Sequence, residues 1–270
     1  MANYEQNIGD VSLSYSDDGE GHCIVLLHGF CGSREYFNKI IPDISEKYRV
    51  IACDLRGHGH SSTVKDEFSI TSMADDLAKL FDVLEIEKVT MIGHSLGGYI
   101  TLAFVEKYAH MLHSYGLLHS TALPDDENGK AGREKGIARI EQEGIKGFID
   151  DLVPKLFASE NQEPFHAEME TVRQIGYKTP ETGAAGALHA MKNRPDRQKV
   201  LHNEDLPVLL IAGKKDQIVP PEKTFLHRGN HLTEVILENS GHMGMIEEPE
   251  KVVKVIEEFI EKSVIKERNA

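Results

Sequence analysis

A mostly parallel, eight-stranded α/β sheet, flanked by helices and interrupted by a helical insertion, is the fold class this sequence predicts. Three observations lead there. Short apolar runs alternate with longer stretches of helical periodicity. Several runs, such as Cys23-Ile-Val-Leu-Leu and Val208-Leu-Leu-Ile-Ala, are apolar at every position, as strands buried on both faces are. The alternation stops between about 120 and 200, where the chain reads as helix alone, and it resumes at Pro207.

In chain order, the runs predict strands near 3–8, 11–16, 22–28, 49–53, 88–93, 113–118, 207–212 and 232–237. Gly9-Asp10 joins the first two and suits a tight hairpin turn. A helix over 71–84 opens at Thr71 and aligns Met73, Leu77, Leu80, Phe81 and Leu84 on one stripe. A helix over 96–108 aligns Leu96, Ile100, Ala103, Phe104 and Lys107. A helix over 249–265 opens with Pro249, which fits a first helical position. Strands alternating with helices imply right-handed βαβ units. The interruption holds Gly136-Ile-Ala-Arg-Ile, Gly147-Phe-Ile-Asp-Asp-Leu-Val, a stretch near 167–177, and 186–193. The expected organisation is a core of 1–120 and 196–270 with a helical lid over 121–195. Ligands in such folds bind beyond the carboxyl ends of the strands, where a lid would sit.

Composition narrows the function classes. Hydrophobic residues are 40% and charged residues 27% of 270, which is ordinary globular usage. The net charge of −14 argues against a nucleic-acid or acidic-membrane partner, since both need a basic patch. No apolar run exceeds five residues, whereas a membrane span needs about 20. The first ten residues show neither a basic nor an apolar signal region. Three cysteines (Cys23, Cys31 and Cys53) without Cys-x-x-Cys spacing read as reduced thiols, and the expected compartment is the cytoplasm.

The chemistry centres on Gly93-His94-Ser95-Leu96-Gly97, a G-x-S-x-G pattern. A buried run precedes it and a helical stretch follows. A strand, a sharp turn and a helix thrust one side chain out at the top of a sheet. Strand and helix come close there, so small residues are needed, and Gly93, Gly97 and Gly98 supply them. A serine that merely caps a helix is the plainer alternative. Leu27-His28-Gly29-Phe30-Cys31-Gly32 follows another buried run. Its turn can aim the Phe30 N–H above Ser95, with the Leu96 N–H as the second donor to an oxyanion.

Serine needs a base, and His242, in Asn239-Ser-Gly-His-Met-Gly after the last strand, is favoured among 14 histidines. His28 is the second candidate, but it ends a strand beside the oxyanion turn and reads as fixing that turn. The acid partner is Asp216, directly after the strand at 207–212, with Asp125 or Asp126 as rivals. Arg56-Gly57-His58-Gly59-His60 offers two histidines but no third metal ligand. Gly57-x-Gly59-x-x-Ser62 lacks the last glycine of a dinucleotide fingerprint. Cys31 has no adjacent base and reads as packing.

The order Ser95, Asp216, His242, each beyond a different strand, resembles the α/β-hydrolase family. Asp54-Leu-Arg-Gly-His-Gly-His-Ser and Ile246-Glu-Glu-Pro are similar to segments that follow a strand and the catalytic histidine in that family. The resemblance spans about 20–262. It implies a cofactor-independent serine hydrolase with Ser95 as nucleophile, Asp216 and His242 as acid and base, and His28, Gly29, Gly93, His94 and Gly97 in support. Its small-molecule substrate would be a carboxylic ester or related acyl derivative. Members with an Asp nucleophile, such as dehalogenases and epoxide hydrolases, are set aside by Ser95. His28-Gly-Phe-Cys-Gly also departs from the His-Gly-Gly-Pro-Gly turn of proline iminopeptidases and from the Gly-Pro-Gly turn common in C–C hydrolases. Lactonase, thioesterase, acyl-carrier esterase, cofactor-free haloperoxidase-like activity, and a non-catalytic receptor on the same fold remain as alternatives. Natural substrate and oligomeric state are left open.

Overall fold

A computed structural model describes residues 3–64 and 67–268, with side chains as far as Ser263. Residues 1–2, 65–66 and 269–270 of the expected core lie outside the described residues, as do the first two positions of the segment read for a signal. Eight strands form one sheet: β1 (Asn3–Asn7), β2 (Ser12–Asp18), β3 (Cys23–Leu27), β4 (Arg49–Cys53), β5 (Val89–His94), β6 (Leu112–Leu118), β7 (Val208–Gly213) and β8 (Leu232–Leu237). Each overlaps one predicted run. The sheet order is β1-β2-β4-β3-β5-β6-β7-β8. β1 and β2 form the expected hairpin, pairing Asn7 with Ser12, and Gly9 in the turn has a φ of 113° that suits glycine. β2 meets β4 antiparallel, and every later pairing is parallel.

Every residue of β3, β5 and β7 is buried, so both faces of the central sheet are covered. The covering helices are α1 (Ile41–Ser45), α2 (Ile70–Val83), α3 (Leu96–Tyr108) and, at the carboxyl end of the chain, a helix over Pro249–Arg268. α2 and α3 pack together, while α1 packs on the Pro249–Arg268 helix. Leu96 through Val105 of α3 are all buried, more than a single apolar stripe would bury.

Three helix details differ from expectation. α2 starts at Ile70, not at Thr71, because Ser69 is its cap. The Ser69 hydroxyl accepts from the Ser72 N–H (3.0 Å) and the Ser72 hydroxyl accepts from the Ser69 N–H (2.8 Å). Lys107 leaves the buried stripe of α3 to pair with Asp75 at the surface, since a lysine head keeps its hydration. The last helix also continues three residues past 265.

Between β6 and β7 lie four helices: α4 (Glu127–Glu143), α5 (Ile145–Leu156), α6 (His166–Tyr177) and α7 (Glu181–Lys192). α4 packs on α7, and α5 on α6. A Cβ on Gly183 of α7 would strike the backbone of Gly57, so this glycine lets the insertion seat directly on the loop after β4. The remaining helices, α8 (Pro221–Thr224), α9 (Gly244–Glu247) and α10 (the Pro249–Arg268 helix), follow β7 and β8.

Candidate active site

Strain gathers at the carboxyl ends of the central strands. Among the described residues, four non-glycine residues have positive φ, and Cys31, Ser95 and His119 of these follow β3, β5 and β6. Such a backbone costs on the order of 1–3 kcal/mol and persists only where its surroundings impose it. At Ser95 (φ 51°, ψ −111°) the imposing bonds are visible. Its N–H donates to the Leu118 carbonyl (3.0 Å), and its own carbonyl accepts from the Gly98 N–H (2.9 Å) and the Ser120 hydroxyl (2.7 Å). A Cβ on Gly93 would meet the Gly97 carbonyl, and one on Gly97 would meet the Leu27 carbonyl. Larger residues at either position would prise the turn open. Ser95 therefore stands half-buried at the start of α3, and its hydroxyl caps nothing there.

Ser95 and His242 line one cavity, together with Gly29, Phe30 and residues of the insertion. The Ser95 hydroxyl has no hydrogen-bond partner among the described residues, so Ser95 and His242 share a cavity without a direct bond. The N–H groups of Phe30 and Leu96 likewise have no partner among the described residues. His28 fixes the turn that carries Phe30: its Nδ1–H donates to the Gly29 carbonyl (2.7 Å), and its Nε2 accepts from the Leu55 N–H (3.0 Å).

His242 and Asp216 meet directly, Nδ1 to Oδ2 at 2.7 Å. Both side chains are buried. The other carboxylate oxygen of Asp216 accepts from the N–H groups of Ile218 (2.8 Å) and Val219 (2.9 Å). Burial pushes the Asp216 carboxyl up, but His242 and His119 beside it outweigh burial and hold it well below the usual carboxylate range. Asp125 lies elsewhere. Its carboxylate is taken by Arg194 (2.8 Å) and Arg133 (3.0 Å), while Asp126 caps α4 through the Gly129 N–H (2.7 Å).

Two residues that sequence reasoning did not single out, and Glu247 of the Ile246-Glu-Glu-Pro segment, complete the surroundings. His119, buried after β6, places Nδ1 3.3 Å from Asp216 Oδ2. With the proton on Nδ1 it gives the carboxylate a second donor, and Nε2 accepts from the Gly244 N–H (3.1 Å). Burial lowers the His119 pKa despite that carboxylate, which keeps the ring neutral. His119, Asp216 and His242 bring three potential metal-ligand atoms within 4.8 Å. With the proton on Nδ1, the Gly244 N–H engages the ring's one lone pair, on Nε2, so the set fits a hydrogen-bonded relay better than a cation. Glu247 accepts from the N–H groups of Gly241 (2.9 Å), Met243 (3.2 Å) and Ala158 (3.0 Å), tying the His242 loop to the insertion. The third, Arg133 of α4, is the one side chain lining the cavity that carries a permanent charge.

His94, predicted as a supporting residue, donates from Nε2 to the His242 carbonyl (2.9 Å). The His242 N–H in turn donates to the Leu156 carbonyl at the end of α5 (2.7 Å). His58 is buried in its loop, with Nδ1 bonded to the Arg56 carbonyl (3.0 Å). All three cysteines are free and buried, and burial raises the Cys31 thiol, so it is held as an inert thiol.

Comparison with known proteins agrees with this architecture. The chain is similar to a thermophilic esterase of Thermogutta terrifontis solved with malate bound. The two share 29% identity and a TM-score of 0.92, over 97% of this chain and 99% of the other. It is 27% identical over 258 residues to an (E)-2-((N-methylformamido)methylene)succinate hydrolase of Acinetobacter baylyi, covering 92% of this chain and 93% of that one. An enol-lactonase of Burkholderia xenovorans shares the fold at 22% identity, with a TM-score of 0.88 over 95% and 99% of the two chains. The profile of the alpha/beta hydrolase fold matches residues 23–249, from the first parallel strand to the start of the last helix. A family match over most of the chain, with esterase and hydrolase relatives along its whole length, identifies this protein as a member of the alpha/beta hydrolase family.

Proposed function

We propose that the chain is a serine hydrolase that cleaves a carboxylic ester or closely related acyl compound through Ser95, His242 and Asp216. One observation carries the reading: the strained Ser95 turn and His242, held by Asp216 through Nδ1 at 2.7 Å, line one cavity. In the proposed cycle His242 Nε2 takes the Ser95 proton as Oγ attacks the acyl carbonyl. The Phe30 and Leu96 N–H groups receive the oxyanion. His242 then protonates the leaving alcohol, and water releases the acyl group by the same route. These steps use only side chains, backbone and water. The insertion over 121–195 acts as a lid that excludes solvent. The buried free thiols suit a reducing, cytoplasmic setting. The likeness to an esterase at 29% identity supports the ester class.

The test is covalent. A fluorophosphonate probe should label Ser95 alone, and p-nitrophenyl acetate should give a burst of product. Ser95→Ala should lose both, with kcat down by about 10⁴- to 10⁶-fold. Turnover at the wild-type rate in Ser95→Ala, or a label on another serine, would remove Ser95 from the role.

A further inference from the structure

Around Arg133, charge and cavity are mismatched. Two guanidinium groups, Arg133 and Arg194, share the single Asp125 carboxylate, which leaves one positive charge uncompensated. Arg194 is fully engaged. It donates to the carbonyls of Leu123 (3.2 Å) and Met191 (2.8 Å), bonds Asp125, and lies 4.0 Å over the Tyr99 ring. Arg133 is not. Its Nε is fixed on Asp125, while its two Nη groups donate to no described residue. The neighbouring acids are turned away: Asp126 caps Gly129, and Asp196 binds Gln198.

Arg133 lines the same cavity as Ser95 and His242. The wall around it is apolar, with Phe30, Leu152, Leu156 and Met191, and it includes no carboxylate. Arg133 is partly exposed and paired with Asp125 through Nε, so its Nη edges stay open to an incoming anion. The cavity holds about 60 Å³ and is lined by both Ser95 and Arg133. A planar fork with two free N–H edges matches a carboxylate.

We propose that Arg133 is a specificity-determining residue, and that the substrate is an ester bearing a carboxylate that docks on its Nη groups while the acyl carbonyl faces Ser95. One surplus positive charge calls for one negative charge. The inference rests on the hydrolase reading of Ser95 for the position of the carbonyl.

The experiment compares monomethyl glutarate with methyl pentanoate, equal in chain length and different in the terminal carboxylate. Proton release gives kcat/KM on both for wild type, Arg133→Gln and Arg133→Lys. Calorimetry gives the affinity of monomethyl glutarate for Ser95→Ala with and without Arg133→Gln. Wild type should prefer the half-ester, and Arg133→Gln should lower the preference ratio by about 10- to 100-fold, the worth of a charge-assisted pair. Arg133→Lys should fall between, since it keeps the charge and loses the fork. Affinity should fall by the same factor. A wild-type preference for methyl pentanoate, a ratio unmoved by Arg133→Gln, or equal affinities would overturn the inference. If wild type turns over neither ester while affinity still falls with Arg133→Gln, the anion site stands and the ester reading fails instead.

Discussion

The two oxygens of Asp216 have different duties. Oδ1 is spent on the backbone of its own turn, and Oδ2 is left for His242 and His119. An amide at this position would offer an N–H where the ring needs an acceptor, or would lose the turn. Asp216→Asn should therefore lower kcat by about 10²- to 10⁴-fold with the fold intact. Steady-state rates beside a circular dichroism spectrum test this, and turnover within threefold of wild type would place the acid elsewhere. Because its carboxyl is held low, Asp216 stays ionised through the neutral range and sets no limb of a pH–rate profile there. Asp216 was legible in the sequence because it directly follows a continuously apolar strand. Its separation from Asp125 was not, since only folding shows which carboxylate two arginines claim. His119 was hidden for a simpler reason: it is one of 14 histidines and carries no motif.

Helical glycines test the seating of the insertion. Glycine inside a helix normally costs about 0.5–1 kcal/mol against alanine. Gly132 of α4 follows that rule, with nothing within 4 Å of an added Cβ. Gly183 of α7 breaks it, because the added atom meets the Gly57 backbone. Gly132→Ala should stabilise by about 0.5–1 kcal/mol, and Gly183→Ala should destabilise by about 1–3 kcal/mol. Denaturant titration of the two variants checks the opposite signs. Two equal gains would show that α7 does not press on the loop after β4. The helices themselves were readable from apolar spacing, but their caps were less so. Ser69 and Thr71 are both chemically fit to start α2, and the reciprocal Ser69–Ser72 bonds decide the matter.

At the scale of the whole molecule, buried neutral histidines make the fold sensitive to acid. Burial lowers His28 to about 4 and His58 to about 3, from 6.5 when unfolded. Between those values the unfolded chain binds protons that the folded chain refuses, so stability is full above 6.5 and is lost as pH falls towards 4. Each ring should cost about 2 kcal/mol between pH 7 and 5. His94 and His119, lowered for the same reason, act in the same direction. Relief of the −14 net charge opposes this, but those charges lie at the surface, where salt screens them. The apparent Tm should fall by about 10 °C or more from pH 7 to 5. An unchanged Tm would show that these rings are already protonated in the fold.

The sheet, the order of its strands along the chain, the Ser95 turn and the place of the insertion are all legible along the chain. These are local properties. Apolar periodicity marks a strand or helix within ten residues, and the Gly93 to Gly98 spacing answers a steric need between neighbours in the chain. What surrounds that turn comes from contacts far apart in the chain. Gly213 reaches His119 from 94 positions away, Ala158 reaches Glu247 from 89, and His94 holds the His242 carbonyl from 148. No periodicity encodes such contacts. They are set by the order β3-β5-β6-β7-β8, which brings the carboxyl ends of five strands side by side, and by the seating of α4 and α5 above them, which carries Arg133 and Leu156 to the same cavity.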